Sequence, residues 1–220
     1  MTRQKGATGL TGPVSAGRAG IFSAVLFGVG IIGQGLLHRD YNQVTELVSA
    51  LATYPNGWIQ SASFVIVGCA MLVFSIGLLR APLRGPGRRV GPALFVISSL
   101  GMIVAGFVPM QRIAGEYVQP LGHVIGALMT FLGAAGGLFI SSFAFDKTPR
   151  FRGAVWPARL AGLAVGVLLF IFARLAMPEG TPFHAVAGVI QRVMVLCWLL
   201  GIISISQCLI RLSIKPADAA

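Results

Sequence analysis

Six long apolar segments, separated by short polar connections, constrain this chain of 220 residues more than any other feature. A helix that crosses the hydrocarbon core of a bilayer needs about 20 apolar residues, and each segment comes close to that length. Only 10% of the residues are charged, whereas a soluble domain carries roughly 25%. The pattern therefore predicts a polytopic membrane protein with spans at Ile21–Leu37, Trp58–Leu79, Val90–Pro109, Pro120–Phe143, Pro157–Ala176 and Phe183–Leu212.

The charged residues are distributed unevenly between the two sides of this predicted bundle. If the spans alternate in direction, thirteen basic and two acidic residues fall on one side, and four of each fall on the other. The whole net charge of +11 then lies on one face, which the positive-inside rule assigns to the cytoplasm. Attraction to anionic headgroups accounts for this excess, and we predict no nucleic-acid partner.

The fold class follows from these two observations. We predict an all-α fold, a six-transmembrane-helix bundle with both termini on the cytoplasmic side. Residues 1–20 are predicted to form a disordered basic cytoplasmic tail, residues 21–212 a single transmembrane domain, and residues 213–220 a second cytoplasmic tail. No small-x-small cleavage site follows the first span, so we expect a retained helix rather than a signal peptide.

Two of the predicted outer connections carry a helical pattern. Apolar residues recur at helical spacing between the first two spans, which predicts a short amphipathic extracytoplasmic helix over Asn42–Thr53. Arg112 and Glu116, between the third and fourth spans, stand four apart, a spacing that allows a salt bridge on a helix.

Glycines at intervals of four mark two of the spans. Gly133 and Gly137 form one such step, and Gly162 and Gly166 form another. Small residues let helix backbones approach closely in lipid, so these faces predict helix contacts and a route to a homo-oligomer. The three cysteines lie inside apolar segments without metal-binding spacing, and we predict no cofactor and no metal site.

The ionisable residues of the spans collect near the predicted outer side, and Arg192 lies deepest. An arginine about 12 Å inside a helix needs a carboxylate, carbonyl groups, a ligand or water. We predict an outward-facing polar pocket that binds a small polar or anionic ligand or a lipid headgroup. Its predicted ligand-binding residues are Arg192, Gln191, His184, His123, Glu46 and Arg174.

Several alternatives remain open for these residues. Arg192 could form a structural pair with Glu46 or Glu116 that fastens the outer loop to the bundle. His123 and His184 could ligate haem, or a metal together with Glu46 or Glu116. The same pocket could serve a membrane-embedded lipid-modifying enzyme that uses Ser49 or a metal-bound water. An accessory subunit of a larger membrane complex would need no pocket.

Five stretches, taken in order, carry a resemblance to a known family. They are TELVSAL, PNGWIQSASFVIVGCAMLVFSIGL, AGFVPMQ, GHVIGALMTFL and GVIQRVMVLCWLLGIISI. This order and spacing resembles the prokaryotic membrane family called domain of unknown function 998. The resemblance implies a multi-pass protein of a prokaryotic plasma membrane and no established activity. It also implies an acidic residue after the Gly-x-x-Pro that ends the third span, where this chain has Met110 and Gln111.

Overall fold

The computed structural model describes residues 12–177 and 180–212. Within these residues six helices are long and apolar enough to cross a membrane, so the protein is a multi-pass membrane protein. The helices are α1 (Pro13–Leu37), α2 (Trp58–Arg80), α3 (Val90–Phe107), α4 (Leu121–Asp146), α5 (Val155–Ile171, continued by a π-helical turn over Phe172–Ala176) and α6 (Ala187–Arg211). Short 3-10 helices cover Val48–Thr53, Pro149–Ala154 and His184–Val186, and a hairpin pairs β1 (Gln111–Ile113) with β2 (Glu116–Val118).

The six helices form a ring in which each packs against its neighbours in sequence, and α6 closes the ring on α1. Close contacts show the antiparallel order. An added Cβ on Gly17, near the start of α1, would lie 2.6 Å from the carbonyl oxygen of Ser206, near the end of α6. In the same way, an added Cβ on Gly162 of α5 would lie 2.6 Å from the backbone nitrogen of Phe139 on α4. Missing side chains thus permit the backbone contacts that join helices in lipid.

The two ends of the ring differ in chemistry. We call one end the basic end, because it carries ten of the fourteen Lys and Arg side chains among the described residues: Arg18, Arg80, Arg84, Arg88, Arg89, Lys147, Arg150, Arg152, Arg159 and Arg211. The opposite end is the capped end, since residues 38–57 and the hairpin of residues 111–118 cover it. That the basic end faces the cytoplasm stays a prediction from the positive-inside rule.

Large apolar side chains fill the middle of the ring toward the basic end. Phe74, Phe95, Leu138, Ile202 and Ile205 are all fully buried there. The rings of Phe74 and Phe95 meet edge to face, with centroids 5.6 Å apart. This packed half positions the helices whose other halves surround the candidate site.

The first helix begins eight residues before the predicted span, at Pro13 rather than Ile21. The predicted disorder is therefore wrong for residues 13–20, because Gly17 and Gly20 pack closely against α6 and α2. Residues 1–11 and 213–220, the rest of the predicted tails, lie outside the described residues. The fifth helix begins at Val155, directly after the 3-10 turn over Pro149–Ala154.

The predicted helix over Asn42–Thr53 is correct only in its second half, which is a 3-10 helix from Val48 to Thr53. The first half forms turns, because the Asn42 side-chain oxygen accepts hydrogen bonds from the backbone N–H groups of Val44 (2.9 Å) and Thr45 (3.4 Å). Such local bonds compete with helix formation.

The predicted helical pairing of Arg112 with Glu116 is wrong. These residues lie on opposite strands of the hairpin, where Arg112 pairs with Tyr117 in register. Ala114 and Gly115 between them have positive φ values of 52° and 90°, as a tight two-residue hairpin turn requires.

Candidate ligand-binding site

Arg192 binds the loop of the capped end through backbone carbonyl groups. Its Nη1 donates hydrogen bonds to the carbonyl oxygens of Gln43 (2.6 Å), Glu46 (3.0 Å) and Gly188 (2.9 Å). Its Nη2 donates to the hydroxyl of Tyr41, and its Cζ lies 5.4 Å from the centroid of the Tyr41 ring. The two terminal nitrogens of the guanidinium are therefore engaged by the protein itself, while its buried Nε makes no hydrogen bond among the described residues. This arrangement resembles the structural alternative, but with carbonyl groups in place of a carboxylate.

The same loop is fastened to α6 by two further hydrogen bonds. The backbone N–H of Val189, near the start of α6, donates to the carbonyl of Val44 at 3.1 Å. The backbone N–H of Val48 donates to the Oε1 of Gln191 at 2.7 Å. The first turn of a helix leaves N–H groups without partners inside the helix, so the loop satisfies one of them.

The carboxylate of Glu46 lies at the centre of a tyrosine cluster rather than beside Arg192. Its Oε2 accepts hydrogen bonds from the hydroxyls of Tyr54 (2.8 Å) and Tyr117 (2.7 Å). Tyr41 packs edge to face on Tyr54, with ring centroids 5.5 Å apart. The chain has three tyrosines, and all of them meet here, joining the loop of residues 38–57 to the hairpin.

Each of these phenols has a raised pKa. Burial raises the pKa of Tyr54 most, and its hydrogen bonds with Tyr117 and Glu46 raise it further. Burial and the Glu46 carboxylate also raise the pKa of Tyr117. Burial raises the pKa of Tyr41, although the positive charge of Arg192 opposes that shift. The cluster therefore favours neutral phenols, which donate hydrogen bonds to the carboxylate.

A cavity of about 160 Å³ lies beneath this cap, and all six helices contribute to its wall. Its lining is largely apolar, with rings from Phe27, Phe64, Phe131 and Trp198. Leu128 on α4 and Ala173 in the π-helical turn line it and are themselves exposed, which indicates an opening between these two helices. The polar side chains among the lining residues are Ser49, Gln119, His123, Thr130 and Gln191.

His123 and Gln191 each present a polar atom that the protein leaves without a partner. The Nδ1 of His123 lies 2.9 Å from the carbonyl of Val108, which can only accept, so Nδ1 carries the proton. In the neutral ring Nε2 is then an acceptor. The Oε1 of Gln191 is fixed by the Val48 N–H, so its amide NH₂ is a donor. Among the described residues, neither His123 Nε2 nor Gln191 Nε2 makes a hydrogen bond.

The other predicted site residues lie apart from this cavity. Arg192 and Glu46 belong to the cap and do not line the cavity. His184 is exposed, and its Nδ1 bonds to the carbonyl of Ala176 at 3.0 Å. Arg174 is exposed in the π-helical turn. Of the six predicted ligand-binding residues, only His123 and Gln191 therefore line the cavity.

The described residues show no arrangement that supports a metal site or a nucleophile at Ser49. Within the described residues, no three His, Cys, Asp or Glu side chains form a group that could hold a metal ion. The hydroxyl of Ser49 donates to the sulfur of Met110 at 3.0 Å rather than to His123. The Glu46 carboxylate is held by tyrosines, so Ser49, His123 and Glu46 do not form a chain of nucleophile, base and acid.

Sequence reasoning missed the aromatic residues of the site. Tyr41, Tyr54 and Tyr117 are far apart in the chain, and no spacing connects them. Trp198 lines the cavity from the middle of α6, where it reads as one more apolar residue of a span. The feature that could have identified Trp198 from the sequence is its indole N–H, because such a group deep in a membrane helix usually needs a hydrogen-bond partner. The structure leaves that N–H buried and unbonded.

The comparison with protein families agrees with this architecture. The model of a family described as a protein of unknown function, DUF998, matches residues 21–206. The chain belongs to this family. The match includes four helices of this DUF998 protein completely and most of the first and sixth, while the family description assigns no activity. No curated protein and no solved structure matches the chain.

Proposed function

We propose that this DUF998 protein binds a lipid-like amphiphile in the cavity beneath its cap, with the polar group of the ligand between His123 and Gln191. The observation that carries the proposal is the combination of an apolar wall with one free acceptor and one free donor. Pockets for small molecules are commonly apolar with a few polar groups that fix orientation.

The character of the wall selects an amphiphile over a small polar molecule. An apolar cavity of this size does not hold ordered water well, and a polar ligand would lose its hydration for few hydrogen bonds. An acyl or isoprenoid chain loses nothing on moving from the bilayer into such a space, because lipid tails are equally apolar. Selectivity then comes from the hydrogen bonds to His123 and Gln191.

The engagement of Arg192 bears on the charge of the ligand. Its Nη1 and Nη2 donors are directed at protein oxygens, and it does not line the cavity. We therefore infer that the head of the ligand is an uncharged group that both donates and accepts, such as a hydroxyl. The predicted anionic ligand has less support here. Placement in a prokaryotic plasma membrane belongs to this proposal as well.

Native mass spectrometry of the protein in mild detergent tests the proposal. The expected result is a discrete added mass that fragments as an amphiphile. His123→Asn keeps a donor to the Val108 carbonyl but removes Nε2, and Gln191→Glu keeps the acceptor for Val48 but removes the amide donor. Either variant should weaken binding of the ligand about fivefold, since a buried hydrogen bond contributes about 1 kcal/mol.

His184→Asn is the matched control, because it changes an exposed histidine at the same end of the ring. It should retain the added mass. A bare protein mass for the unsubstituted protein, or equal retention by His123→Asn and His184→Asn, would contradict the proposal. A protein partner at the added mass would instead support the accessory-subunit alternative.

A further inference from the structure

A second apolar feature lies on the outside of the ring, along the seam between α4 and α5. It is a groove of about 440 Å³, which we call the α4–α5 groove. Small residues form its floor, including Ala135 and Gly136 on α4 and Gly162 and Gly166 on α5. Bulky apolar side chains flank it, namely Phe139, Leu163, Val167 and Phe170. The last three are at least half exposed, so the groove faces the lipid.

The groove exists because the two helices touch at one glycine and separate at the next. A Cβ on Gly162 would lie 2.6 Å from the backbone nitrogen of Phe139, so the helices are in contact there. One turn later, a Cβ on Gly166 would meet only the Cβ of Ala135, at 3.9 Å. The space beside Gly166 is therefore open, and a chain of methylene groups can pack into it.

An arginine stands at the basic end of this groove. Arg159 lies one helical turn before Gly162 and Leu163, and it contacts residues one turn beyond Phe139 on α4. Its Nε donates to the hydroxyl of Ser142 at 3.2 Å. Its Cζ lies 4.9 Å from the ring centroid of Phe143 and 5.2 Å from that of Trp156. These contacts hold the guanidinium in a defined orientation at the edge of the apolar surface.

The remaining donors of Arg159 are available to a ligand. A guanidinium has five N–H groups, and among the described residues this one uses only Nε in a hydrogen bond. Arginine forms paired hydrogen bonds with phosphate oxygens, a geometry that a fixed guanidinium favours. An apolar groove that ends at such a group matches a phospholipid, with an acyl chain in the groove and the phosphate at the arginine.

A second copy of the chain fits this surface less well. Within the described residues, the carboxylate at the basic end is that of Asp146, which already pairs with Lys147 at 3.2 Å. Among the described residues, a partner helix from the same protein would therefore bring to Arg159 only a carboxylate that already has a basic partner. The other cations of this end favour anionic headgroups further, because basic residues beside a membrane attract them. We propose that the α4–α5 groove is a binding site for an anionic phospholipid, whose phosphate group is bound by Arg159.

The test is native mass spectrometry of the detergent-solubilised protein titrated with dioleoylphosphatidylglycerol or dioleoylphosphatidylcholine, which differ only in the headgroup. We expect about five- to tenfold tighter retention of the anionic lipid. Arg159→Gln should abolish this preference. Arg18→Gln removes the same charge from an exposed position on α1, at the same end, and should leave the preference intact.

A second pair of variants tests the groove separately. Gly166→Leu fills the open space and should weaken retention of both lipids, while Gly33→Leu, at a helical glycine with no atom within 4 Å of its added Cβ, should change neither. Three results would overturn the proposal: equal retention of the two lipids, equal effects of Arg159→Gln and Arg18→Gln, or equal effects of the two glycine variants. A dimer that Gly166→Leu dissociates would also overturn it, because the groove would then be a helix interface.

Discussion

The guanidinium of Arg192 lies over the ring of Tyr41 and donates a hydrogen bond to its hydroxyl, although 151 positions separate the two residues in the chain. Tyr41 in turn donates to the carbonyl of Leu47 at 2.9 Å. The loop that forms the cap is thus organised around a side chain of the last helix. Arg192 was predicted as a ligand-binding residue of a polar pocket, and in the structure it anchors the loop above the cavity.

Replacing Arg192 by Met should loosen the cap. The variant leaves the carbonyls of Gln43 and Glu46 without their donor, and hydrogen bonds to a charged group contribute about 1.5–3 kcal/mol each. We expect the free energy of unfolding, measured by titration with SDS, to fall by about 3 kcal/mol. Arg174→Met is the control, since that arginine is exposed at the same end, and its effect should stay within about 0.5 kcal/mol. Equal losses in the two variants would refute the anchoring role.

The three tyrosines provide an optical measurement of the cap. Their pKa values are raised in the folded protein, so phenolate absorbance near 295 nm should appear only above pH 10, the usual value. A raised pKa stabilises the fold fully below the unfolded value near 10, and this stabilisation is lost as pH rises toward the folded value. Unfolded protein should titrate near pH 10.

Glu46→Gln tests how much the Glu46 carboxylate contributes to the raised pKa values of Tyr54 and Tyr117. It removes the negative charge that faces Tyr54 and Tyr117 while keeping an oxygen that can accept their hydrogen bonds. The folded variant should titrate at a lower pH than the unsubstituted protein. Titration of the folded, unsubstituted protein at the same pH as the unfolded chain would show that the cluster does not form.

A glycine on α3 should be sensitive to the smallest substitution. An added Cβ on Gly101 would lie 2.5 Å from the carbonyl of Gly126 and 2.7 Å from the backbone nitrogen of Thr130, both on α4. Neither backbone atom can move easily, so Gly101→Ala should destabilise the protein by about 1–3 kcal/mol. Gly33→Ala, with open space around its Cβ, should be neutral or slightly stabilising. The free energy of unfolding of both variants can be measured by titration with SDS. A Gly101→Ala variant as stable as the unsubstituted protein would contradict the close packing of α3 on α4.

Hydropathy and charge predicted the six helices correctly, because a membrane span must be apolar and helical whatever it packs against. The same reasoning failed for residues 42–47. Their apolar spacing suggested a helix, but the carbonyls of Gln43 and Glu46 bond instead to Arg192, which no local pattern could reveal. The hairpin was missed because Ala114-Gly115 is a weaker turn signal than Asn-Gly.

The candidate site was predictable only in part. His123 and Gln191 stand out in the sequence because polar groups are rare in spans, and both line the cavity. The cavity itself depends on where six separate helices diverge, and no periodicity within one helix records that. Arg192 also stood out, but whether a partly buried arginine binds a ligand or a loop carbonyl depends on contacts distant in sequence.

Entry of an amphiphile into the cavity can be measured directly through the fluorescence of Trp198. The chain has three tryptophans; Trp58 and Trp156 are 69% and 62% exposed, whereas Trp198 is 1% exposed and lines the cavity. In a Trp58→Phe, Trp156→Phe variant, a monoacylglycerol brominated on its chain should quench Trp198 fluorescence saturably, and adding His123→Asn should raise the midpoint about fivefold. Quenching no stronger than that by a brominated hydrocarbon without a headgroup, or unchanged by His123→Asn, would contradict the proposed binding site.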